Sequence, residues 1–127
     1  MMNRQLKILG RTAAILLLST QVFAHHGIKN YRTDRLTSLK GTVTEYEFQN
    51  PHVLIEMEVE EVAGNRETWT IEVAPPSMLY KVGWNKNTLK PNDTIEVTGY
   101  PAKDGSRLLS VRRIVLPNGQ DLNQNSK

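Results

Sequence analysis

Cysteine is absent from the 127 residues, which excludes disulfides, thiolate metal sites, iron–sulfur clusters and a cysteine nucleophile. Long apolar runs are missing too, since none approaches the ~20 residues that a membrane-spanning helix needs. The chain carries no phosphate-binding loop and no dinucleotide fingerprint. What is present is the composition of an ordinary globular protein, with 39% apolar and 23% charged residues, and the length allows one domain at most. Collagen-like, coiled-coil and wholly disordered classes are therefore excluded.

Excess charge of one sign is confined to the N-terminal end. The chain has 16 basic and 13 acidic side chains, and three of the basic ones, Arg4, Lys7 and Arg11, lie in residues 1–24, which contain no acid. The rest of the chain is therefore formally neutral. Nucleic-acid-binding proteins usually present a basic stripe, because contacts to phosphates dominate their affinity. Nucleic acid is for this reason not an expected partner.

The first 24 residues have the three parts of a secretory signal peptide. A positive stretch precedes the apolar residues 13–18, which are too few to span a bilayer. Val22, Phe23 and Ala24 then provide a cleavage site, and the absence of cysteine excludes a lipoprotein anchor. The sequence predicts a soluble periplasmic protein that begins at His25 and keeps no membrane span after cleavage. An uncleaved amphipathic N-terminus is the alternative.

Apolar and polar residues alternate with a period of two along five later stretches, which predicts five β-strands. The strands are expected at residues 38–49, 53–60, 67–74, 94–100 and 107–116. Asn50 and Pro51 separate the first two, because proline cannot donate to a strand ladder. Residues 76–82 have the pattern of a short helix, with proline in its first turn and Gly83 as its stop. Its inner side is predicted to consist of Met78, Leu79 and Val82.

This order of elements predicts an all-β fold: a small five-stranded OB-like Greek-key barrel at residues 38–117, with one short helix between strands 3 and 4. A short up-and-down sandwich with one helical turn is the alternative. Apolar positions change face within the first strand, which predicts a bulge near Gly41 or Glu45. Residues 25–37 are expected to form an extended arm, and the polar residues 118–127 a flexible tail.

The three histidines, His25, His26 and His52, carry the main functional hypothesis. After cleavage, His25 would present a free amine and a ring Nδ1 that chelate one metal ion together. His26 would add a second imidazole or a backbone amide, and His52 a further imidazole from the loop between strands 1 and 2. An all-nitrogen ligand set suits Cu(II), which heads the affinity order for such sites. Closed zinc sites, in contrast, usually take four ligands and often thiolates.

The arm is long enough to bring these ligands together. The 13 residues from His25 to Ser38 span at most ~45 Å, and the first strand covers ~36 Å, so the arm can run back to the end that carries His52. The loop between strands 4 and 5 flanks the same face of an OB barrel, which makes Asp104 an additional candidate ligand. The sequence thus predicts a periplasmic metal-binding protein, with copper as the expected cofactor.

Two other functions stay open. In the first, the barrel is a metal-free module that binds a small ligand, a peptide or an envelope protein through Tyr46 and Phe48. In the second, the histidine site activates oxygen, although the sequence indicates no substrate groove and an enzyme is the less expected outcome. The row Glu56, Glu58 and Glu60 is interpreted as a solvated strand face and not as paired catalytic carboxylates.

Several short motifs resemble those of a family of small exported bacterial proteins known mainly as a domain of unknown function. The motifs are Ala24-His25-His26, Leu39-Lys40-Gly41-Thr42-Val43, Asn50-Pro51-His52, Gly83-Trp84, Leu89-Lys90-Pro91-Asn92-Asp93 and Ala102-Lys103-Asp104-Gly105. The chain departs from the family pattern at Gly27, where serine is usual, at Asn92, where glycine is usual, and at Val53, where many members have tryptophan. The resemblance implies a periplasmic β-rich domain and brings no activity, substrate or cofactor.

Overall fold

The computed structural model describes residues 28–123, so the expected signal peptide, His25 and His26 lie outside the described residues. The strands are β1 (Thr37–Glu47), β2 (Leu54–Glu60), β3 (Arg66–Glu72), β4 (Thr94–Pro101), β5 (Leu108–Val115) and β6 (Asp121–Asn123). A one-turn helix, α1 (Pro76–Leu79), continues as a 3-10 turn at Tyr80–Val82. Further 3-10 turns lie at Ile28–Asn30 and Val62–Gly64. Among these elements, no helix is long and apolar enough to cross a membrane.

The strands close into a barrel. Their order is β3-β2-β1-β4-β5-β6 with antiparallel neighbours, and a parallel pairing of β3 with β5 joins the two sides. In this pairing Thr70, Ile71 and Glu72 lie opposite Leu108, Leu109 and Ser110. With α1 between β3 and β4, this is the Greek-key arrangement of an OB fold. The predicted all-β barrel is confirmed, and the β3–β5 pairing excludes the alternative of an up-and-down sandwich.

The interior is apolar because strand residues alternate between the barrel core and the solvent. On β2 and the residue before it, every second side chain faces inward and is at most 9% exposed. Those residues are Val53, Ile55, Met57 and Val59. The tryptophan after the helical segment, Trp84, packs back into the core and is 1% exposed.

The helical segment buries a different face from the one predicted. Pro76 and Leu79 are buried, whereas Met78 is 58% and Val82 is 44% exposed. The prediction for Met78 and Val82 was wrong because the segment changes from one α turn to a 3-10 turn at Tyr80. An α turn and a 3-10 turn rotate by different angles per residue, so one helical period does not predict which residues face inward along the whole segment.

The bulge in β1 lies beside Glu45, one of the two predicted positions. The register between β1 and β2 shifts between Val43 and Glu45, which gives the first strand one extra residue. Beyond the shift, the faces of β1 exchange, and Tyr46 packs against the core.

A short sixth strand lies in the segment that its polar composition predicted to be a flexible tail. β6 pairs with β5 from Arg113 to Val115, and the guanidinium of Arg113 donates to both carboxylate oxygens of Asp121. This ion pair and Leu122, which packs partly against the core, hold the strand in place. Neither contact is visible as alternation in the sequence.

Candidate functional site

His52 lies at a mouth of the barrel, in the connection from β1 to β2. Backbone hydrogen bonds of Val53 to Val73 and Ala74 extend the β2–β3 ladder past the ends of both strands. The ring Nδ1 of His52 lies 3.0 Å from the carbonyl oxygen of Val73. A carbonyl oxygen only accepts, so Nδ1 carries the hydrogen and Nε2 carries the lone pair of the neutral ring. The side chain is 37% exposed, which leaves the ring open to a ligand.

Glu72, the last residue of β3, joins the histidine to the arm. Its Oε1 lies 3.7 Å from Nδ1 of His52, and its Oε2 accepts a 2.6 Å hydrogen bond from the hydroxyl of Tyr31. The carboxylate side chain is only 17% exposed. The carboxylate of Glu72 therefore contacts both His52, 20 positions earlier in the chain, and Tyr31, 41 positions earlier.

The described part of the arm is docked on the barrel. Tyr31 forms an isolated β-bridge with Ala102, and its ring is 1% exposed. The amide of Arg32 donates to the carbonyl of Pro101 over 2.8 Å, and the amide of Lys103 donates to the carbonyl of Asn30 over 2.9 Å. Burial and the hydrogen bond to Glu72 raise the pKa of the Tyr31 phenol well above its ordinary value. The phenol therefore stays protonated and keeps donating to Glu72.

Of the predicted ligands, His52 is described, whereas His25 and His26 lie outside the described residues. Tyr31 follows His26 by five residues, a stretch that spans at most ~18 Å. Asp104 lies in the β4–β5 loop next to Lys103, on the side where the arm docks, and its Oδ1 accepts from the amide of Ser106. Within residues 28–123, no group of three histidine or carboxylate side chains lies close enough to hold a metal ion.

Tyr46 and Phe48, the predicted ligand-binding aromatics, pack against the helical segment. The hydroxyl of Tyr46 donates to the carbonyl of Asn85 over 2.8 Å, and its ring lies 6.5 Å from the ring of Trp84. Burial raises the pKa of Tyr46 to about 12. The ring of Phe48 lies 6.1 Å from Tyr46 and 5.0 Å from Tyr80. The two aromatics thus form part of the packing between β1 and this segment.

Sequence reasoning missed the role of Glu72 and of Tyr31. Glu72 stands on the outward face of β3, where a glutamate is ordinary. Tyr31 is the only aromatic residue of the polar arm, and a large side chain with one polar tip in such a segment is a sign of docking on an apolar surface. That sign indicates that the arm binds somewhere on the barrel but not where.

Comparison with known proteins gives a family and a fold. The model of the "Family of unknown function (DUF6152)" matches residues 14–110. Two crystal forms of the mitochondrial single-stranded DNA-binding protein Rim1 of S. cerevisiae are similar in structure. They give a TM-score of 0.48 each, with 14% and 15% identity, 65% and 73% of this chain covered, and 92% and 98% of theirs.

A ZRD-deleted mutant of TiaS in complex with agmatine is also similar. The match has a TM-score of 0.48 and 20% identity and covers 73% of this chain but 23% of TiaS. No curated protein matches the chain in sequence. Similarities this distant carry no argument about ligands.

Proposed function

The chain belongs to the family of unknown function DUF6152, and we propose that it is an exported periplasmic protein that binds a copper ion through His25, His26 and His52. In this proposal the amine and ring of His25 chelate the ion from one side, and the ring of His52 binds it from the barrel. His26 supplies a further nitrogen. The barrel is the rigid support that holds one ligand in place, and the arm delivers the others.

The docking of the arm is the observation that carries this proposal. Without it, the two N-terminal histidines would have no fixed relation to His52. Tyr31 and His52 contact the two oxygens of one carboxylate, that of Glu72. The chain from Tyr31 back to the two histidines is then long enough for their rings to reach Nε2 of His52.

The hydrogen bonding of His52 supports the same role. Histidines that bind metals almost always donate their second ring N–H to a carbonyl or a carboxylate, which fixes the ring and raises its basicity. Here Nδ1 lies 3.0 Å from the carbonyl of Val73 and 3.7 Å from Oε1 of Glu72. The nitrogen left for the metal is Nε2, and the structure gives it no hydrogen-bond partner within residues 28–123.

Titration with Cu(II), followed by electron paramagnetic resonance, tests the proposal on chain purified after export, with its start at His25 checked by intact mass. We expect one tightly bound copper ion. His52→Ala should weaken binding at least about tenfold and change the spectrum, because it removes one of the nitrogen ligands. Gln49→Ala is the matched control, since Gln49 is exposed in the same loop and hydrogen-bonds to the exposed side of β1 at Glu47 and not to His52 or Glu72.

Three outcomes contradict the proposal. If His52→Ala binds copper with the affinity and spectrum of the unchanged chain, binding is the generic chelation of a free His-His terminus. If the exported chain keeps residues ahead of His25, the amine chelate cannot form. If the protein binds no copper, the metal-free ligand-binding module becomes the function that fits the barrel.

A further inference from the structure

Charge is divided unevenly along the folded chain. Residues 45–72 contain eight glutamates and a single basic residue, Arg66, whereas residues 73–92 contain three lysines and no acid. The three are Lys81, Lys86 and Lys90, and all are exposed. Within the part of the chain that the structure describes, none of their ammonium groups is in an ion pair. Asp93, directly after this stretch, accepts from the backbone amide of Lys90 over 2.9 Å, so Lys81 and Lys86 are the lysines available to an external anion.

Exposed apolar side chains are concentrated in the same segment. Five large apolar residues in the described chain are exposed, and three of them belong to the helical segment, between residues 78 and 82. They are Met78 at 58%, Tyr80 at 62% and Val82 at 44% exposure, and we call them the helical patch. The half-buried ring of Phe48, 5.0 Å from the ring of Tyr80, extends the patch to the residue that follows β1.

The helical patch is held outward by a rigid base. Leu79 and Trp84 are 2% and 1% exposed, and the amide of Trp84 donates to the carbonyl of Leu79 over 3.0 Å. Gly83, at φ 89°, ends the 3-10 turn in the left-handed conformation that glycine adopts without strain. Because the core fixes one side of this short segment, its other side cannot turn in to bury its apolar residues.

We propose that the helical patch and its lysines dock the protein on a lipid bilayer with anionic headgroups. Lysines near such a surface are attracted by its negative potential, and tyrosine is favoured at the level of the headgroups. Met78 and Val82 supply short apolar side chains that enter the boundary with the acyl chains. A protein partner of the same character would need acidic groups around an apolar centre, whereas an anionic bilayer presents both over its whole surface.

The acidic residues near the patch do not oppose this docking. Glu45 and Glu47 are the acidic residues nearest in sequence to Phe48, and they alternate with Tyr46 and Phe48 at the end of β1 and directly after it. Successive strand side chains point to opposite faces, so these carboxylates lie on the other face of the strand. The docking surface uses none of the proposed copper ligands, and either proposal can fail alone.

Sedimentation with lipid vesicles tests the docking on the same exported chain. We expect binding to vesicles of phosphatidylcholine and phosphatidylglycerol to exceed binding to phosphatidylcholine alone at least tenfold, since each lysine contributes about fivefold in partitioning. Salt at ~1 M should abolish most of the difference, because the Debye length falls to ~3 Å. Lys81→Glu combined with Lys86→Glu should lower binding at least about tenfold.

Matched controls distinguish binding through the helical patch from nonspecific binding to vesicles. Tyr80→Ser should weaken binding severalfold, whereas Val62→Ser should not, although Val62 is 94% exposed in the β2–β3 turn. Lys29→Glu combined with Lys103→Glu, at two exposed lysines outside the helical segment, controls for the same change of net charge. Thermal unfolding of each variant at the wild-type temperature confirms that the fold is intact.

Three results would overturn the docking proposal. The first is equal binding to neutral and anionic vesicles, and the second is equal loss in the patch variants and their controls. The third is self-association without lipid, seen as a molecular mass that rises with protein concentration in the unchanged chain but not in Tyr80→Ser. That result would assign the helical patch to a second copy of the chain.

Discussion

Replacement of Gly99 by alanine is expected to lower the free energy of unfolding by about 3 kcal/mol, at the upper end of what overpacking costs in a core. Gly99 lies in β4, where the register with β5 shifts, and it is buried. A Cβ there would lie 2.9 Å from the carbonyl carbon of Ser110 and from Cα of Val111, and nearer still to the carbonyl oxygen of Ser110. These are backbone atoms of the neighbouring strand, so no side-chain rotation relieves the clash.

Denaturant unfolding measures this loss when it is followed by tryptophan fluorescence, to which buried Trp84 contributes. Gly64→Ala is the matched control, because Gly64 has a φ of 76° but nothing within 4 Å of an added Cβ. Only the left-handed backbone is strained there, at about 1 kcal/mol. Equal losses at Gly99 and Gly64 would contradict the close approach of β4 to β5.

The elements of this fold follow from local patterns. The first strand was predicted at 38–49 and is found at Thr37–Glu47, and the helical segment was predicted at residues 76–82 and occupies them. Alternation and the proline and glycine signals suffice because each element buries one face. The parallel β3–β5 pairing, which closes the barrel, has no local signal because it joins residues 38 positions apart, and element order predicted the fold class but not this pairing.

The candidate site was predictable only in part. His52 is conspicuous because histidine is rare in the chain and follows a turn signal. Its partners are not conspicuous, since Glu72 lies 20 residues away and contacts it only because the start of β2 pairs with the end of β3. Tyr31 reaches Glu72 because the arm packs on the β4–β5 loop. This packing joins Tyr31 to Ala102, about 70 positions further along the chain. Long-range packing decides such contacts, and single-residue patterns do not record it.

Raising the pH above about 10 is expected to destabilise the fold steeply, because unfolding lets two tyrosines ionise that the fold keeps protonated, one buried and one half-buried. Burial raises the pKa of Tyr31, with a further contribution from the carboxylate of Glu72, and burial raises that of Tyr46 to about 12. An unfolded tyrosine has a pKa of about 10. Above that pH the unfolded chain binds fewer protons than the folded chain, so the free energy of unfolding falls as pH rises.

The size of the effect follows from the number of tyrosines. Each contributes about 1.4 kcal/mol per pH unit between its unfolded and folded pKa, so the two together give about 2.7 kcal/mol per unit up to about pH 12. Below about pH 10 both states keep the proton, and neither tyrosine makes stability depend on pH. The docked arm should therefore be insensitive to ionisation of Tyr31 throughout the neutral range.

Denaturant unfolding at a series of alkaline pH values measures the slope, and two variants assign it. Tyr31→Phe and Tyr46→Phe should each reduce the slope by about half, since phenylalanine cannot ionise, and the double variant should remove it. Tyr31→Phe should also lower stability near neutral pH by about 1–3 kcal/mol, because Oε2 of Glu72 loses its hydrogen-bond donor. An unchanged alkaline slope in Tyr31→Phe would mean that the arm is not docked in solution. The reach argument that links the N-terminal histidines to His52 would then lose its basis.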